Sequence, residues 1–198
     1  FRQNQWECLL IMFAALELVP RGLRLLGLPP QDWYAVVPVG LCAAYLFTGF
    51  WFLALPYLVW AVWLTVKEAT QILVLKKSQL LDFVRVFALG YWATGAMFAV
   101  FFLSDYNPLD FDPVIVSLTG AHFHVAGFVL AVLIYCLILE RPSKATRALG
   151  WASLAGMPLV AAGITLSKLG FPTVLEQISA LGFVLFALFV IWQQTALF

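Results

Sequence analysis

The chain alternates between long apolar stretches and short clusters of charge. Runs free of Asp, Glu, Lys and Arg cover 33–66, 86–104, 113–139, 148–167 and 177–198. A bilayer core takes about 20 mostly apolar residues in a helix, so each of the last four suits one helix. The first is too long for a single pass at about 1.5 Å per residue and has to turn back. The stretch "FTGFWFLALP" offers the turn, with Gly49 and Pro56 as breakers and Trp51 as an interfacial anchor. An earlier run, 8–16, lies between Glu7 and Glu17 and reaches a useful length only if its helix continues through Glu17. The pattern predicts seven helices, at 5–19, 33–48, 54–76, 83–103, 113–139, 148–166 and 173–195.

The loops support this count. Arg21 and Arg24, Lys76 and Lys77, and Arg141, Lys144 and Arg147 fall on one side, whereas "SDYNPLDFDP" carries Asp105, Asp110 and Asp112 and no basic residue. Basic residues collect on the cytoplasmic side of membrane helices, which predicts an outside N-terminus and a cytoplasmic C-terminus. Lys168 is the exception.

Composition sharpens the class. With 64% hydrophobic and 11% charged residues and a mean hydropathy of +0.97, the chain has more apolar surface than a soluble core of this size can hide. The expected fold is an all-α, polytopic integral membrane helix bundle forming one domain over 1–198, with the lipid bilayer as its first partner. A net charge of +1 and no basic face set with aromatics argue against nucleic acid. Cys8, Cys42 and Cys136 lie apart in apolar segments and indicate no disulfide framework. The run 8–16 has acidic flanks where a signal peptide has a basic region and a cleavage site, and is expected to stay in the mature protein.

Ionisable residues inside a span are functional candidates, because lipid penalises them by at least ~2.5–3.5 kcal/mol. Glu17 and Arg21 are four apart and share a face if their helix continues through Pro20, with the acid first, the favourable order. Lys67 and Glu68 fall halfway along the third helix if it runs to Lys76, or at its end if it stops at Val66; Gln71 is close enough to join either. Asp82 and Arg85 read as ordinary charges at a helix start, with Arg85 extending to the headgroups. In the sixth helix, Ala152 and Gly156 make a small-residue stripe, and Pro158 frees a carbonyl one turn back.

Both histidines of the chain sit in "TGAHFHVAGF", in the middle of an apolar run. Residues two apart on a regular helix point about 200° from each other, so His122 and His124 do not chelate one metal. His124 shares a face with Ser117, Gly120, Gly127 and Ala131, all small, which predicts close approach of another helix. His122 lies on the side of Ile115, Ala126 and Val129. An unpaired imidazole in lipid is costly, so the fifth helix is expected to be covered by protein or a cofactor on both sides. Hydrogen bonding to facing helices, proton relay, ligand binding and metal ligation are all open to these rings. A conventional zinc or copper site would need further ligands from Glu17, Glu68 or a cysteine.

The stretch "LTGAHFHVAGF", with "ELVPRGLRLL" near the start, resembles the YndJ-like family of bacterial multi-pass membrane proteins, in which HFH is followed by a small residue, Gly and Phe. The resemblance implies a bacterial inner (plasma) membrane protein, transporter-like in layout. "AHFH" is also similar to a helix of the heme-copper oxidase catalytic subunit, whose two histidines at this spacing ligate two hemes. That similarity implies heme ligation by His122 and His124, but the further histidines of that family have no counterpart here.

The function expected is binding or movement of a small ligand or protons at a site built on His122 and His124, with Glu17, Arg21 and Glu68 as participants. The alternatives are a heme- or metal-binding redox subunit and an accessory subunit packed against partner membrane subunits. The sequence holds no nucleophile triad, P-loop or dinucleotide motif.

Overall fold

A computed structural model describes residues 6–28, 36–47, 49–75 and 79–195, and all regular structure among them is helical. Helix α1 runs through three joined segments, Trp6–Phe13, a π-helical turn Ala14–Leu18, and Val19–Leu25. Helix α2 is Val36–Leu46. A 3₁₀ turn at Trp51–Ala54 leads into α3, Leu55–Leu75. Then follow α4 (Leu80–Leu103), α5 (Pro113–Glu140, with a π-helical stretch Phe123–Val129), α6 (Lys144–Lys168) and α7 (Val174–Thr195).

Local chemistry explains several of these boundaries. Asp112 caps α5 by accepting the Val114 N–H at 2.8 Å, with Pro113 placed where a missing N–H is harmless. Ser143 and Thr146 cap α6 reciprocally, each side chain accepting the other's backbone N–H at 3.1 and 3.0 Å. Gly27 and Gly170, at φ +74° and +90°, follow the ends of α1 and α6, where a left-handed residue closes the last turn.

Two internal prolines are accommodated differently. Pro20 has no N–H for the carbonyl one turn back, and α1 meets it after a widened turn in which the Val19 N–H reaches Ala14 O. In α6 the carbonyl freed by Pro158, that of Leu154, accepts the Tyr91 hydroxyl of α4 at 3.0 Å, and the same hydroxyl lies 2.8 Å from Ser153 O.

Five helical stretches are long and apolar enough to cross a membrane: Trp51–Val74, Leu80–Leu103, Pro113–Glu140, Lys144–Lys168 and Val174–Gln193. The seven expected helices are present, but two differ from a simple span. Helix α1 extends past the predicted residue 19 to Leu25 and carries Glu7, Glu17, Arg21 and Arg24. Helix α2 has only 11 residues; 33–35 and 48, predicted as its ends, lie outside the described residues, as do Lys76 and Lys77. The continuation of α3 to Leu75 places Lys67 and Glu68 inside a helix.

Helix α4 lies at the centre, packed on α3, α5 and α6, while α5 also meets α1 and α6. The larger core gathers Ile11, Leu23, Tyr57, Trp60, Trp92 and Phe128. A smaller one joins Val84, Ile134, Leu137, Leu149 and Val190 toward the other end of α5. Helix α7 packs chiefly on α6, and only 6% of its apolar stretch is buried. At one end of the bundle, Lys168 donates to Asp110 O at 3.1 Å and lies over the Phe111 ring. The lysine that broke the charge pattern is thus tied to the acidic loop.

Candidate functional site

His124 is fully enclosed in the bundle, with no exposed surface. Its Nδ1 lies 2.8 Å from Gly120 O, a carbonyl that can only accept, so Nδ1 carries the proton and donates. Nε2 therefore holds a lone pair and accepts the Tyr57 hydroxyl at 3.1 Å. The Tyr57 oxygen in turn accepts the Trp92 indole N–H at 2.7 Å. The result is a directed chain from Trp92 through Tyr57 and His124 to Gly120 O, joining α4, α3 and α5. With a neutral imidazole every donor in it has an acceptor.

Packing holds this chain in place. The Tyr57 and His124 rings stack at 5.9 Å with 14° between their planes. Trp92 meets Tyr57 edge-on at 5.6 Å, and Trp60 meets Trp92 at 4.6 Å. Gly95 of α4 makes room for the imidazole: a Cβ there would fall 2.5 Å from Nδ1. The small-residue face predicted for His124 is the packed one. Ser117 and Ala131 are buried, and a Cβ on Gly127 would lie 2.9 Å from Tyr91 Cβ.

His122 points the other way and is exposed. Its Nδ1–H donates to Leu118 O at 2.9 Å, one turn back in its own helix. Its Nε2 has no hydrogen-bond partner among the described residues. The expectation was cover by protein or a cofactor on both sides of α5; this chain by itself covers the His124 side. The reason is that α1 and α4 both pack on that side, and a carbonyl of α5 itself satisfies the outward ring.

The remaining sequence candidates do not join the histidines. Arg21 pairs with Glu17 at 2.6 Å, but on the surface, with 73% and 47% of the side chains exposed. Glu68 is buried and pairs with Arg85 Nη2 at 3.3 Å, while Asp82 lies 3.7 Å from the same nitrogen. Arg85 thus departs from the headgroup role expected of it, because Glu68 faces α4 across the helix interface. Lys67 turns outward over the Trp63 ring, and Gln71 is exposed like it, whereas Glu68 is buried.

Sequence reasoning missed Tyr57, Trp92 and Gly95, and also the buried Glu7, whose Oε1 accepts the Ser117 hydroxyl at 3.2 Å. A Gly on α4 and lone polar aromatics in apolar runs were the available signals. Among the described residues, no three His, Cys, Asp or Glu side chains are grouped to hold a metal ion. Axial ligation of a heme through His124 Nε2 would break the Tyr57 bond in a ring already flanked by Tyr57 and Gly95, so this ring as packed does not fit that role. His122 Nε2 is the open imidazole nitrogen.

A family profile described as YndJ-like protein matches residues 9–196, nearly the whole chain. The chain belongs to the YndJ-like family. No curated protein and no solved structure matches it. Within this YndJ-like chain, the HFH stretch marks one enclosed ring and one outward ring, set on either side of Phe123. Phe123 itself lines a lateral groove of about 400 Å³ with Thr65, Tyr91, Thr94 and Pro158.

Proposed function

We propose that this YndJ-like chain is a polytopic protein of the bacterial inner membrane, with its N-terminus outside and its C-terminus cytoplasmic, and that it handles protons or a small ligand at the His124–Tyr57–Trp92 centre. The long apolar helices and the exposed apolar side of α7 suit a bilayer. Separation of the acidic loop with Lys168 from the basic 141–147 turn suits that orientation. A cysteine at Asn107 is then labelled by an impermeant reagent from outside and one at Ser143 is not; the reverse pattern would overturn the orientation.

One observation carries the functional reading: a fully buried imidazole whose Nε2 accepts from a hydroxyl that itself accepts from another helix. A proton arriving at Nε2 makes that nitrogen a donor, so Tyr57 must turn its hydrogen elsewhere. The Tyr57 oxygen then accepts from both His124 and Trp92, and its own hydrogen needs a new acceptor. One protonation is therefore felt on three helices together, the kind of coupling a transporter requires. The test is proton flux in proteoliposomes under an imposed gradient. Flux through the parent that is lost in His124→Gln and reduced in Tyr57→Phe supports the reading. Flux equal to empty vesicles for the parent would leave His124 as a tie between helices.

The open Nε2 of His122 favours a second reading, in which that ring meets a heme or a partner subunit. A visible band that shifts on reduction and is lost in His122→Ala identifies the heme role.

A further inference from the structure

A second feature lies at the opposite end of the bundle from Lys168, outside the histidine centre. Gln79 and Leu80 at the start of α4, Ile138 and Leu139 at the end of α5, and Arg147 and Trp151 at the start of α6 enclose a groove of about 650 Å³. Its lining mixes two chemistries. Leu80, Leu81, Ile138, Leu139 and Pro142 are apolar, and Gln79, Arg147 and Trp151 bring polar groups to the same lining. The turn leading into it reads "ERPSKATR", with Arg141, Lys144 and Arg147 against the single carboxylate of Glu140. Trp151, exposed and near Phe83, stands where an interfacial tryptophan is expected.

We infer that this groove binds an anionic phospholipid, with the headgroup phosphate held near Arg147 and an acyl chain laid along Leu139 and Trp151. Three observations carry the inference together. The groove is lined by the exposed guanidinium-bearing Arg147; Arg147 has no ion-pair partner among the described residues; and most of the other lining residues are apolar, which a free phosphate does not need. Basic pockets between helices at a membrane face bind acidic headgroups by this combination. The groove touches neither His124 nor Tyr57, so its occupant acts on the packing of α4 against α5 and α6. The inference rests on the membrane reading above but not on the proton reading.

The experiment is native mass spectrometry of the detergent-extracted protein, titrated with phosphatidylglycerol or with phosphatidylcholine of the same acyl chains. Phosphatidylglycerol is expected to bind more tightly. Arg147→Gln is expected to weaken it about fivefold, the ratio equivalent to about 1 kcal/mol for one cation near an acidic headgroup. Lys168→Gln, at the other end of the bundle, is expected to leave binding as in the parent. Equal binding of the two lipids overturns the inference, as does phosphatidylglycerol binding that is unchanged in Arg147→Gln. Displacement of the lipid by millimolar inorganic phosphate would overturn the lipid assignment and leave a free-anion site. A chain that fractionates without detergent defeats the membrane reading instead, so the two failures are told apart.

Discussion

The two sides of α5 carry the same residue with the same local bond and reach different ends. His122 and His124 each donate from Nδ1 to the carbonyl four residues back, at 2.9 and 2.8 Å. The helix thus fixes the tautomer of both rings. What separates them is the second nitrogen, which meets the Tyr57 hydroxyl on one side and open surface on the other. A histidine in an apolar helix is therefore read by where its Nε2 goes, and that is decided by neighbouring helices rather than by its own.

Substitutions turn this contrast into numbers. The largest expected effect is the difference between His124→Ala and His122→Ala. The first opens a cavity in the core and strands the Tyr57 hydroxyl, for a loss of about 3 kcal/mol; the second leaves unfolding in mixed micelles unchanged from the parent. Equal effects would mean that His122 is covered in the working protein, by a partner or a cofactor. Next is Gly95→Ala. A methyl 2.5 Å from Nδ1 has to displace the ring, at about 2 kcal/mol for overpacking, while solid-state ¹⁵N spectra show the His124 signals moving and those of His122 holding still. The smallest is Tyr57→Phe, which keeps the ring stack but removes the acceptor of Trp92 and the donor to His124. About 1 kcal/mol is expected, since single hydrogen bonds between membrane helices are weak; a stability equal to the parent's would show that water replaces the hydroxyl.

Periodicity and charge made much of this fold legible. The seven helices follow from the spacing of charges and breakers, and the small face of His124 from its i±3 and i±4 neighbours. The carbonyl freed by Pro158 was legible too, though not that Tyr91 would fill it. What stayed hidden is the angle at which one helix faces the next. Tyr57 is 67 residues from His124 in sequence, and nothing local to either marks the pairing. Arg85 failed for the same reason: a guanidinium at a helix start extends to the headgroups or turns inward depending on whether an acid on the adjacent helix faces it, and Glu68 does.

The widened turn in α5 has a consequence for the whole bundle. A π turn is a dislocation in the helical lattice, one residue more than the α-helix needs, and it advances the phase of everything after it by about 100°. Before and within it, α5 gives Ala121, Phe123 and Phe128 to the larger core; after it, Ala131 and Val132 still belong to that core, while Ile134, Leu137 and Ile138 join the smaller one. One helix thus serves both cores, and a one-residue deletion within Phe123–Val129 would rotate Ala131, Ile134, Leu137 and Ile138 against the residues before the turn and carry their stripe away from its present neighbours.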